Sequence, residues 1–93
     1  MANTRQAKKR IRITAKRTLR NRQVKSRVKT AVRRFNDTLA QEDLESAGEK
    51  LRLAVKMLDK AVSKGVLHKN AASRKKSRLA RRYNDALAQA EGE

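Results

Sequence analysis

Three segments of the chain space their apolar residues at the period of an α-helix, and none alternates at the period of a strand. In the first, Val24, Val28, Ala31, Val32, Phe35 and Leu39 fall within roughly 100° of one another on a helical wheel. The second carries Leu44, Ala47, Leu51, Ala54, Val55, Leu58, Ala61 and Val62 on one face. The third carries Ala72, Leu79, Ala80, Tyr83, Ala86, Leu87 and Ala90. The residues between them suit helix ends. Asp43 fits an N-cap, and Glu45 in the first turn suits the positive end of the dipole. Gly65 fits a C-terminal glycine, with Lys60 and Lys64 in the last turn. Helices are predicted over about 4–40, 44–64 and 69–90, in one domain spanning 1–93. Asn3 or Thr4 would cap the first, the tail Glu91-Gly92-Glu93 would fray, and Gly48 would weaken the second slightly.

Short connections favour antiparallel neighbours, so the expected fold is all-α, an up-down-up three-helix bundle. At 1.5 Å rise per residue the first helix would run roughly 55 Å and the second roughly 30 Å, so the first must overhang. The apolar stripe says which part is unmatched. Extended backward from Val24 it meets Asn21, Arg20 and Arg17, while Ile11, Ile13 and Leu19 point in different directions. The helix is expected to continue before Val24; the core is not. Phe35 and Tyr83, the only aromatic residues, both lie on core-facing stripes.

Charge changes the picture. The chain carries 26 Lys and Arg against 9 Asp and Glu, a formal net charge of +17. That excess cannot be paired internally and must face solvent, counterions or a polyanion, nucleic acid before an anionic membrane. Leu, Ile, Val and Phe supply only 18 of the 93 residues, so part of the chain is expected to need a partner to become ordered. The charge is also uneven. Residues 1–34 hold 14 basic residues and no acid, and Lys69 to Arg82 hold seven more, again with no acid. Asp37, Glu42, Asp43 and Glu45 collect around the first turn. In an up-down-up bundle the first and third helices run parallel, so both basic segments fall at one end and the acids at the other. Arg10, Arg12, Lys16, Arg17, Arg20 and Arg22 do not share one face. A helix charged all round suits insertion between several phosphate backbones, as in a folded RNA. Arg5, Lys25 and Arg27 extend this element, and Lys75 and Arg78 the second one.

Other chemistry is thin. There is no Cys and one His, so neither a disulfide framework nor a multi-histidine metal site is available. The apolar runs are too short for a membrane-spanning helix. A cytoplasmic location is the default. His68 lacks the partnered nucleophile that catalysis would want, leaving a contact at the helix start or a contact to RNA. Asn70, Ser73 and Ser77 could donate to phosphates near a helix N-terminus, or be merely exposed. With two aromatics, both on core stripes, the stacking platforms of single-strand binders are missing. An amphipathic membrane helix would want a broader apolar face than Ile11, Ile13 and Leu19 provide.

The N-terminal Met1-Ala2-Asn3 with Gln6-Ala7-Lys8-Lys9-Arg10, and above all Lys64-Gly65-Val66-Leu67-His68-Lys69-Asn70-Ala71-Ala72-Ser73-Arg74-Lys75-Lys76-Ser77-Arg78-Leu79, resemble bacterial small-subunit ribosomal protein twenty. Ser73 departs from the alanine-rich part of that pattern, and the tail after Leu79 is individual. The resemblance covers essentially the whole chain. It implies a three-helix bundle bound to 16S ribosomal RNA in the 30S subunit, holding RNA segments together without catalysis. It also implies that Lys8, Lys9, Arg10, His68, Lys69, Asn70 and Arg74 lie in the RNA-binding region. The expectation is a structural ribosomal protein with no cofactor, metal, small-molecule substrate, membrane partner or homo-oligomer. A DNA-compacting nucleoid protein is the alternative.

Overall fold

The structure, a computed structural model, describes residues 2–92. Three helices follow one another: α1 (Ala2–Ala40), α2 (Leu44–Ser63) and α3 (Lys69–Gly92). The order is up-down-up, as predicted, and the boundaries move by one or two residues. Asn3 and Thr4 are not caps, because α1 begins at Ala2 and takes both into its first turn. Glu91 and Gly92 continue α3. Glu93 lies outside the described residues.

The helix ends show why these elements stop. Asp43 caps α2, its carboxylate accepting from the Ser46 N–H at 3.2 Å. At the far end Gly65 takes φ of 73°, where a side chain would be strained. Its N–H donates to the Val62 carbonyl at 3.0 Å and the Val66 N–H to that of Ala61 at 2.9 Å. These two bonds close the last carbonyls of α2 and turn Val66 and Leu67 onto the core. Glu42 ends α1 in the same left-handed region, at φ of 61°.

The core is narrow. Val24, Val28, Ala31 and Phe35 of α1 meet Ala47, Ala54, Leu58 and Ala61 of α2 and Leu79 of α3. Phe35 and Leu58 are the largest fully buried side chains; the alanines let the helix backbones approach closely. α2 is the central member and packs along both others. α1 and α3 run parallel and meet chiefly at one level, where the Phe35 and Tyr83 rings pack edge to face at 6.4 Å and Arg82 donates to the Asn36 side chain at 3.1 Å. Ala90, placed on the α3 stripe by periodicity, is exposed. It borders an open cleft with Leu39 and Ala40 at the end of α1 and Leu44 at the start of α2.

That register leaves residues 4–23 of α1 without a neighbour, and every one of them is exposed. The molecule is therefore long and thin, 74 × 22 × 13 Å. The expected overhang is present, and it starts where the apolar stripe stops, at Val24. Among the described residues one ion pair forms, Lys76 to Asp59 at 2.7 Å, with both side chains well exposed. A pair of that kind contributes about 0–1 kcal/mol, so apolar packing and not charge pairing holds the helices together.

Gly48 is more than a weak point of α2. A Cβ there would lie 2.8 Å from the Tyr83 hydroxyl, which donates to the Leu44 carbonyl at 3.2 Å. Glycine makes the seat that lets α3 dock on the first turn of α2. Gly48→Ala gains about 1 kcal/mol of helix propensity but must displace that hydroxyl. In thermal unfolding it should be more stabilising on a Tyr83→Phe background than in the parent, by about 1 kcal/mol of coupling. Simple additivity of the two substitutions would show that the residues do not meet.

Candidate nucleic-acid interface

Every residue singled out from Arg5 to Arg27, and His68, Lys69, Asn70, Arg74, Lys75 and Arg78, has an exposed side chain. The fold spreads them over different surfaces. Arg5 to Arg22 lie on the overhang of α1. Lys25 lines a groove between α1 and α3 together with Lys75 and Arg78. Arg74 lies off the groove on α3. Lys69 precedes Lys76 by two helical turns and so shares the side turned to Asp59 of α2, away from α1.

The groove has a definite composition. It holds about 610 Å³. Its floor is Val28 and Val32 from α1, Leu79 from α3 and Leu67 from the preceding turn, and its rim is Lys25, Lys29, Lys75, Arg78 and Arg82. No acid lines it. Lys29 and Arg82 lie in the two cationic segments seen in the sequence but are not among the contact residues singled out there; Lys29 follows Lys25 by one turn and Arg82 follows Lys75 by two. The same interhelical cleft continues towards the other end, where Glu42 and Asp85 enter the lining beside Asn36, Leu39 and Ala86. The cleft is thus cationic at one end and mixed at the other, divided at Arg82.

The overhang carries cations round most of its circumference, with one apolar depression among them. Ile11, Thr14, Ala15, Thr18 and Leu19 share one shallow depression, flanked by Arg10 and Arg22. Ile11 and Leu19 therefore lie on one side; Ile13, about 200° round from Ile11, does not. At about 100° per residue, the cations from Arg5 to Arg20 occupy an arc of roughly 200°. Thr4, Ala7, Ile11, Thr14 and Thr18 lie outside that arc, but Arg22 falls on their side, so cations reach round most of the overhang. Ile11 and Leu19, eight residues apart, differ by about 80° in direction, yet both border that depression.

His68 sits at the start of α3, where its Nδ1 accepts from the Asn70 N–H at 3.1 Å and its carbonyl from the Ala72 N–H at 3.1 Å. The helix-start contact read from the sequence is present. An imidazole accepting at Nδ1 carries its proton on Nε2, which remains the ring's donor. The cap also satisfies the Asn70 backbone N–H internally. Among the described residues no polar side chain is buried, and no three metal-ligating side chains cluster. No helix among them is long and apolar enough to cross a membrane.

A cationic extension continuous with a cationic groove, on a bundle with one exposed ion pair among the described residues, defines a basic helical module whose charge a polyanion would complement. Comparison with known proteins narrows the class. Residues 2–84 match the family Ribosomal protein S20, and the chain belongs to that family. It is 63% identical to the small ribosomal subunit protein bS20 of Caldanaerobacter subterraneus subsp. tengcongensis over 93 residues, covering 100% of this chain and 89% of that one. It is 56% identical over 85 residues to the protein of the same description from Natranaerobius thermophilus, covering 91% of this chain and 97% of that one. For the Carboxydothermus hydrogenoformans protein the identity is 58% over 84 residues, 90% of each chain.

His68→Ala removes an N-cap, which costs about 1 kcal/mol. In a domain of this size that lowers Tm by about 4–8 °C in the free protein. His68→Asn, which can accept the same bond, should restore most of it. An unchanged melting curve for the alanine variant would show that the cap carries no stability.

Proposed function

We propose that this chain is a structural, non-enzymatic constituent of the small ribosomal subunit in the cytoplasm. It binds 16S ribosomal RNA directly and holds converging RNA segments together during and after 30S assembly. The observation that carries this reading is the placement of two acid-free cationic segments at one end of the bundle. Residues 4–23 of α1 project beyond the core, and the first half of α3 lies beside the point from which they project. Phosphates brought together by RNA folding repel one another, and a cationic rod set between them removes part of that repulsion. The roughly 200° cationic arc reaches more than one backbone, and the groove holds a further site at the base of the rod. Family membership supports the ribosomal setting, and the names of the relatives place them in the small subunit.

Phosphate contacts release counterions, so affinity should fall steeply with salt. For 6–10 contacts the loss is on the order of 10³–10⁵ between 50 and 200 mM salt, measured by binding to 16S RNA fragments. A flat response would sink the proposal. A nucleoid protein would bind random duplex DNA as well as folded ribosomal RNA; competition between the two should favour the RNA.

The overhang has no tertiary neighbour to stabilise it. Most helical stability in proteins comes from tertiary packing, which this segment lacks. Amides of residues 4–22 should therefore exchange fast in the free protein and become protected on binding RNA. Equal strong protection in both states would contradict this.

A further inference from the structure

The cationic groove between α1 and α3 is not shaped like the overhang. The overhang offers charges on a convex rod, which suits phosphates along a duplex. The groove has an apolar floor, and a phosphate cannot use it. Val28 and Leu79 are buried into the core, while Val32 and Leu67 are only half-buried and keep surface towards the groove. Something with a flat apolar body and negative charge on either side would satisfy both parts.

The length of the floor selects among such partners. Val28 and Val32 are one helical turn apart, about 6 Å. An amphipathic helix would need anchors repeated over two or more turns, and past Arg82 the cleft gains Glu42 and Asp85, which repel an acidic one. On the α1 side that one turn, in which only Val32 keeps exposed surface, gives room for a single nucleobase. The five cations of the rim stand on both sides of that floor, three on α3 and two on α1, where the phosphates before and after one nucleotide would lie. Arg82 is held in place by Asn36 at 3.1 Å and closes the groove at the acidic end.

We propose that this groove takes one unstacked RNA nucleotide, its base on Val32 and Leu67 and its flanking phosphates on Lys25, Lys29, Lys75 and Arg78. The proposal rests on the RNA-binding reading above and adds to it a site for an extruded base. Duplex RNA hides its bases, and paired bases cost more to extrude than bulged ones. The chain should therefore prefer a duplex that carries a bulge.

The test compares a fully paired RNA duplex with the same duplex carrying one unpaired adenosine, each titrated with the full chain across a salt series. The bulged RNA should bind on the order of tenfold tighter, the worth of removing roughly 60 Å² of apolar surface from water. That preference should persist at high salt, because it is not a counterion effect. Val32→Thr and Leu67→Gln each make the floor polar. Each should abolish the preference while keeping the paired duplex's affinity and salt slope, with the fold checked by circular dichroism; if one variant does not fold, the other decides. Equal affinity of the parent chain for the two RNAs would overturn the groove assignment and leave the RNA reading standing. Failure to bind either RNA would overturn the RNA reading itself. Saturable binding of an acidic amphipathic peptide that is lost in both floor variants, with no preference between the RNAs, would reassign the groove to a protein partner.

Discussion

Phe35, Leu58 and Tyr83 belong to one apolar cluster, and each comes from a different helix. Their packing works against repulsion, because it draws the cationic halves of α1 and α3 to the same end. The magnitudes show why packing prevails. Two surface charges about 10 Å apart in water repel by about 0.4 kcal/mol, and salt screens them further. Burying one large apolar side chain is worth about 1.5–3 kcal/mol. A narrow core can therefore hold together a strongly cationic chain, provided that the charges stay at the surface. They do: among the described residues no charged side chain is buried.

The same balance accounts for the shape. Beyond Val24 the first helix has no apolar face that α2 or α3 could cover, and adding a helix there would bring more like charge together without compensating burial. The overhang stays bare. What suits it to function is the feature that keeps it out of the core: cations spread round most of an extended helix, projecting from a bundle that supplies a second cationic surface at its base. The acids gather at the far end, around the α1–α2 turn and the end of α3, so the molecule is electrically polar along its length. A polyanion would be drawn to one end of it.

Small residues decide the joints. Gly48 admits the Tyr83 hydroxyl to within hydrogen-bonding range of Leu44 and so sets where α3 lies along α2. Gly65 turns the chain so that Val66 and Leu67 cover the core before α3 begins. His68 then starts α3 by capping it. Those three residues place Lys75, Arg78 and Arg82 opposite Lys25 and Lys29. A shift of α3 by one residue would rotate its cations by about 100° and remove them from the groove.

Local and periodic features were legible without the fold. The three helices, the Asp43 cap, the Gly65 stop, the overhang and the two acid-free segments all follow from the spacing of residues on one chain, because a helix's own face and ends are set by neighbours within a few positions. The family resemblance was legible in the block from Lys64 to Leu79. Tertiary structure alone decided what depends on two helices at once. Gly48 looked like a helix weakness until Tyr83 was opposite it. Lys29 and Arg82 were two cations among many until the parallel packing of α1 and α3 faced them across Val32 and Leu67. The physical reason is that rotation and register between helices come from the shared packing of Phe35, Leu58, Leu79 and Tyr83, and no single helix contains that information.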